Sequence, residues 1–273
     1  MRNERRIIEM RELMRQRVVP PPESVADWPA PNRDDPFDLF EVAMRALGES
    51  PLRDRDKAVL EEFAPLRLRP GRRFDARGLS AAERQAIAQG IAAASDEIQG
   101  AGRRYGKTID GWTYPERHLG NFGEDYLYRA LVALTGLAAP EPAEATYLTC
   151  NTASDGQALT GNGKYVLRFE AGQLPPAKAF WSLTLYEVTP EGRAFLVDNP
   201  LDRYIVGDRT RGLARGADGS LDIYIQHARP PDNQTSNWLP APAGPMRLVL
   251  RAYEPAEDLL DGRWRAPAVK RVG

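Results

Sequence analysis

Cysteine and histidine are nearly missing from this chain. Its one cysteine, Cys150, rules out an intramolecular disulfide. Its two histidines, His118 and His227, lie far apart with no ligand triplet beside them. A zinc site would need its remaining ligands from Asp or Glu, so neither a metal nor a cofactor is expected. Net charge is missing too. With 37 basic against 38 acidic residues the formal balance is −1, which leaves no footprint for nucleic acid or an anionic membrane surface. No run approaches the roughly eighteen apolar residues of a membrane helix. The opening MRNERRIIEMRELMRQRVV lacks the apolar core of a secretory signal. The expectation is a soluble, cytoplasmic protein with no nucleic-acid or membrane partner. Gly-x-Ser-x-Gly elbows and phosphate-binding glycine loops are also absent.

What is present falls into three textures. Ile7, Met10, Leu13 and Met14 make a small apolar stripe on a charged helix over 3–17. Pro20-Pro21-Pro22 stops it, and residues 20–34 read as a proline-stiffened linker. So small a stripe is not stable alone. The helix is expected to dock on another part of the chain or on a second copy, making a homo-oligomer. Residues 35–273 then form one domain, with a helical segment at 35–138 and a β-sandwich at 139–270. In the helical segment, Asp35-Pro36 starts a helix that Gly48 ends, and a second helix runs from Arg55 to Phe63. Ser80 and Glu83 form a capping box ahead of the stripe Ile87, Ile91, Ala94 and Ile98. A last helix over 124–137 turns Leu127, Leu131 and Leu134 inward.

From Tyr147 the apolar period becomes two. Tyr165, Leu167 and Phe169 alternate with Val166 and Arg168, and similar runs centre on Ile223 and Leu248. Asp155-Gly156, Gly161-Asn162-Gly163, Asn199-Pro200 and Asp218-Gly219 separate the runs. Short antiparallel strands at this spacing mean a sandwich or a barrel, so the fold class is α+β.

Several motifs appear in a specific order: Leu119-Gly120-Asn121-Phe122-Gly123-Glu124-Asp125-Tyr126, then Phe180-Trp181-Ser182-Leu183-Thr184-Leu185-Tyr186, Asn199-Pro200, Arg203-Tyr204, Asn237-Trp238-Leu239-Pro240-Ala241-Pro242 and Arg251-Ala252-Tyr253-Glu254-Pro255. This order, over about residues 35–270, resembles the bacterial domain-of-unknown-function family twelve-fourteen. Many such relatives carry an upstream domain of the twelve-fifty-four family and a secretion signal; this chain is expected to lack both. The resemblance implies a β-sandwich of jelly-roll character packed with helices from the N-terminal third. It implies no particular reaction.

The candidate chemistry is that of a binding surface. Trp181, Leu183 and Leu185 share one face of their strand, while Phe180, Ser182, Thr184 and Tyr186 share the other. That second face is either a hydroxyl-bearing surface for a partly apolar ligand or a layer buried between sheet and helices. Asn237 and Trp238 lie on a proline-stiffened loop, where the indole either stacks on a ligand or plugs the end of the sandwich. Arg129, Arg203, Arg247 and Arg251 are each either an anion fork or a member of a structural ion pair. The expected ligand-binding set is Ser182, Thr184, Tyr186, Arg203, Tyr204, Asn237, Trp238 and Arg251. The ligand is a mostly neutral or mono-anionic organic molecule. The alternative is a metal-independent hydrolase or lyase in which Asp125 or Asp155 works with a tyrosine or arginine. Cys150 is expected to be inert core.

Overall fold

Capping chemistry sets the first helices. In the computed structural model, which describes residue 32, residues 34–50 and residues 52–272, the Asp35 carboxylate accepts from the Phe37 N–H just before helix α1 (Asp38–Glu49). Helix α2 spans Asp54–Glu62. Ahead of α3 (Ala81–Gly100) the capping box forms in full: Ser80 N–H donates to Glu83 Oε2 at 2.7 Å, and Glu83 N–H donates to Ser80 Oγ at 3.2 Å. The helix expected over 3–17 and most of the linker lie outside the described residues. Gly48 does not stop its helix but sits inside it. A Cβ there would run into the backbone of Gly71, so this glycine serves close approach.

The chain divides into two units, the first ending at Ala94 and the second beginning at Ser95. In the first, Met44 and Leu79 are buried, and Phe74 meets Phe37 and Phe40 at ring distances of 5.9 and 5.2 Å. In the second, a hairpin comes first: β1 (Lys107–Ile109) turns at Asp110-Gly111, both at positive φ, into β2 (Trp112–Tyr114). These residues had read as part of a helical segment. Helix α4 (Tyr126–Thr135) follows, capped by Asp125, whose side chain accepts from Tyr128 N–H. Its inward face is centred on Tyr128 and Leu131, while Leu134 is 62% exposed. Leu127 packs against the same cluster, so two of the three expected leucines face inward, and Tyr128 stacks on Tyr105 at 4.4 Å beside them.

The remaining strands are β3 (Ala145–Cys150), β4 (Tyr165–Phe169), β5 (Ala177–Val188), β6 (Ala194–Phe195), β7 (Ile205–Gly207), β8 (Leu221–Gln226), β9 (Trp238–Pro240), β10 (Met246–Pro255) and β11 (Lys270–Arg271), with a short helix α5 (Glu257–Leu260) before the last. Seven strands form one antiparallel sheet in the order β1-β2-β3-β10-β5-β6, with β7 also on β5. Four form a second sheet, β11-β4-β8-β9, in which β9 runs parallel to β8. The segment 237–240, expected as a loop, is thus the end of a 3₁₀ helix (Asp232–Asn237) followed by a strand. One core joins the sheets: Leu148, Leu183 and Leu248 from the larger, and Tyr165, Leu167, Ile223 and Ile225 from the smaller. The class is α+β, with most of the helical residues ahead of two largely antiparallel sheets. Among the described residues no helix is long and apolar enough to cross a membrane.

Candidate functional site

Strand alternation decides what the larger sheet shows on the face away from its core. On β5 these positions are Phe180, Ser182, Thr184 and Tyr186; on β10 they are Arg247, Val249, Arg251 and Tyr253; on β3 they are Tyr147 and Thr149. Register sets Arg251 between Tyr147 and Ser182, and Val249 between Thr149 and Thr184. Arg251 leans along the sheet. It donates from Nη1 to Thr184 Oγ1 at 2.8 Å and from Nη2 to Tyr186 Oη at 2.9 Å. Its guanidinium carbon lies 5.4 Å from the Tyr147 ring and 5.7 Å from the Tyr186 ring, within cation–π range. Both hydrogen-bond partners are neutral hydroxyls. Arg247 likewise donates to an amide oxygen, Asn151 Oδ1, at 2.8 Å. Two other arginines behave differently: Arg168 meets Glu170, Asp218 and Asp222, and Arg263 meets Asp258 and Asp261.

Aromatic rings frame this centre. Tyr253 stacks on Phe180 at 4.2 Å, and the Arg209 guanidinium covers Phe180 from 4.1 Å. Burial, and then a hydrogen bond with Tyr253, push the Tyr147 phenol up to about 12. It is therefore protonated at neutral pH and offers no negative charge to Arg251.

Concavities open among the described residues of the second unit. One, of about 420 Å³, lies between the outward face of the sheet and α4; Tyr147, Thr149 and Arg247 wall it on the sheet side, and Leu131 and Val132 on the helix side. Another, of about 650 Å³, has walls of both signs, with Lys107, Arg117 and Arg265 against Glu116, Glu141, Glu257 and Asp261.

The expected site residues separate into two places. Ser182, Thr184, Tyr186 and Arg251 come together on the outward face. Arg203, Asn237 and Trp238 meet around the 232–240 segment, where their polar atoms find backbone partners. Arg203 Nη1 donates to the carbonyls of Thr235, Ser236 and Trp238 at 3.3, 2.9 and 3.0 Å. The Trp238 indole is 2% exposed and donates to Gln226 O. The Tyr204 carbonyl accepts from Leu185 N–H on β5. The expected ligand-binding set contained neither Tyr147 nor Tyr253. Their period-two placement put them on strands, but only register shows them beside Arg251.

The carboxylates considered for catalysis have structural duties. Asp155 accepts from Gln157 N–H and pairs with Arg271 at 3.3 Å. Asp125 caps α4 and also accepts from Tyr105 Oη at 2.6 Å and meets His118 Nε2 at 3.1 Å. Burial raises the Asp125 pKa, but the contacts with Tyr105, Tyr128 N–H and His118 outweigh it and hold the carboxyl below its ordinary 3.8. A depressed folded value means stability present above the unfolded pKa and lost as pH falls through the folded one. The Asp125→Asn variant should therefore melt below the parent at pH 7. The gap should shrink below about pH 3.8, as thermal melts from pH 7 to pH 2.5 would show; a gap independent of pH would remove the carboxylate from this account. Burial pushes the Cys150 thiol up to about 11, and it donates to Thr152 O, as suits inert core. His227 Nδ1 lies 2.9 Å from Ala241 O. Among the described residues no three His, Cys, Asp or Glu side chains gather as metal donors.

Residues 144–257 match the family model described as "Protein of unknown function (DUF1214)", which supports a domain-of-unknown-function segment covering β3 to the start of α5. No curated protein matches the chain. Among solved structures, the VPA0106 protein from Vibrio parahaemolyticus is similar in fold, with a TM-score of 0.63 and 22% identity over 90% of this chain and 57% of that one. An uncharacterised protein from Burkholderia cenocepacia gives a TM-score of 0.34 at 15% identity, over 79% of this chain and 48% of that one. This chain thus spans about half the length of each.

Proposed function

We propose that the protein binds a small organic molecule bearing one anionic group, and that Arg251 receives that group on the outward face of the seven-stranded sheet. One observation carries the reading: a half-buried guanidinium, clamped between two phenol rings, whose hydrogen-bond partners are all neutral. Buried charge is normally compensated by an opposite charge. Here hydroxyls and ring faces hold the cation in place without neutralising it. A planar fork so held is organised for a carboxylate. Thr184 and Tyr186 orient it, and Ser182 lies opposite it in register. The mixture of neutral hydroxyls, aromatic faces and few cations suits a mono-anion rather than a polyphosphate.

The enzymatic alternative finds no comparable support. Its carboxylates are a helix cap and an ion-pair partner, and the pKa of Asp125 moves away from the range of a general acid.

The test is binding of simple monocarboxylates, followed by calorimetry and ligand-induced thermal shift. Charge-assisted hydrogen bonds contribute about 1.5–3 kcal/mol, so Arg251→Gln should weaken binding by about ten- to a hundredfold. Equal affinity in a folded Arg251→Gln protein would end this reading.

A further inference from the structure

The hollow beside Arg251 has a wall composition that points to the rest of the ligand. Its volume of about 420 Å³ falls in the range of small-molecule pockets, roughly 300–1,000 Å³. Among the described residues lining it, Arg247 is the one that carries charge; Leu119, Leu131, Val132 and Ala139 supply apolar wall, and the tyrosines supply ring faces. Two of the phenols are already committed within the protein. Tyr105 donates to Asp125, and Tyr114 accepts from the Ala266 N–H. The larger cavity, with its opposed charges, has no such bias.

The hollow and the anion centre share the Tyr147 side chain, while Arg251 itself stands outside the lining of the hollow. Tyr147 walls the hollow and also stands against the Arg251 guanidinium at 5.4 Å. Thr149, another wall residue, pairs in register with Val249, over which Arg251 leans toward Thr184 and Tyr186. At the same wall Arg247 is held through Nε by Asn151, so its terminal nitrogens have no described partner. An acidic head among the arginines and an uncharged body under α4 would satisfy both halves of the site.

We infer that the ligand class is the amphiphilic monoacids: molecules with a single carboxylate or equivalent anion at Arg251 and Arg247, and an apolar chain or ring in the hollow between the sheet and α4. This inference rests on the anion reading above and adds the apolar half. Burying methylenes in a preformed apolar hollow strengthens binding in proportion to their number.

The probes are butyrate, hexanoate, octanoate and decanoate, with 1-octanol as the uncharged control, titrated calorimetrically into the full chain. Affinity should rise about two- to fourfold per added methylene until the hollow is full, and octanoate should exceed 1-octanol by at least about tenfold. Val132→Trp, and independently Thr135→Trp at a more exposed wall position, should flatten the dependence on chain length and leave butyrate affinity close to the parent value. Arg247→Gln should lower every acid by a similar factor. Acids that bind equally at all lengths, yet weaken in Arg251→Gln, would overturn the hollow and leave the anion centre standing. A length dependence that survives in both tryptophan variants would overturn the hollow as its location. Octanol binding as tightly as octanoate, or no acid binding at all, would overturn the anion reading and this inference with it.

Discussion

Replacing Trp181 with alanine will lower the unfolding free energy by about 3–5 kcal/mol, the range for large aromatic truncations in a core. The indole is 4% exposed on the inward face of β5, and its ring lies 5.5 Å from Phe169 of β4. It therefore bridges the two sheets, and its loss removes buried area and leaves a void lined by both. The neighbours cannot close that void easily. Its register partner on β10 is Ala252, too small to fill it, and on the other side Gly207 is fitted so closely that a Cβ would run into the Trp181 carbonyl. Urea denaturation followed by circular dichroism measures the effect. A loss below about 1 kcal/mol, the size of an ordinary surface change, would mean that this ring does not join the sheets.

Trp181 was legible in the sequence because strand alternation is local. The same rule placed Ser182, Thr184 and Tyr186 on the opposite face of β5. Ser182 and Thr184 are buried there, whereas Tyr186 is half-buried. The strand is thus closed on both faces in its middle and opens toward Tyr186. The capping box at Ser80 was legible for a similar reason, since both of its hydrogen bonds close within four residues. The β1–β2 hairpin was not read, although its signal was present. Asp110-Gly111 supplies the two positive φ values of a tight hairpin turn, but three-residue strands are too short to show a period against the helical pattern around them.

Non-local geometry accounts for the rest. Arg251 could be suspected as an anion fork, but nothing in its neighbourhood along the chain shows that its partners are Thr184, Tyr186 and the ring of Tyr147, contributed by strands on either side. The hollow is further out of reach, because it exists only where α4 turns Leu131 and Val132 toward the sheet. That inward face also carries Tyr128, whose stack on Tyr105 is a contact the leucine spacing does not encode.

Asn237 separates a structural role from a binding role most sharply. Asn237→Ala should cost about 2–5 kcal/mol in stability, because it strands several buried backbone groups at once, each worth about 1–3 kcal/mol. The Asn237 Oδ1 accepts from Ala214 N–H at 2.8 Å; its Nδ2 donates to Ala214 O at 2.7 Å and to Asp222 O at 2.8 Å. One amide thus ties the 3₁₀ helix Asp232–Asn237 to the chain at Ala214 and to β8. No water can replace it cheaply, since the side chain is 4% exposed. Asn237→Asp keeps the shape but turns the donor into an acceptor facing two carbonyls, so it should be at least as damaging at neutral pH. Arg203, which gathers three carbonyls at the end of the same helix, should soften the effect of neither variant, because it reaches different groups. Octanoate affinity, measured on the folded protein well below its melting temperature, should remain within about twofold of the parent in Asn237→Ala, far from the tenfold loss expected when a charged anchor is removed. If stability were unchanged and affinity fell tenfold, Asn237 would be a ligand contact, and the site would have to be moved from the outward face of the sheet to the 232–240 segment.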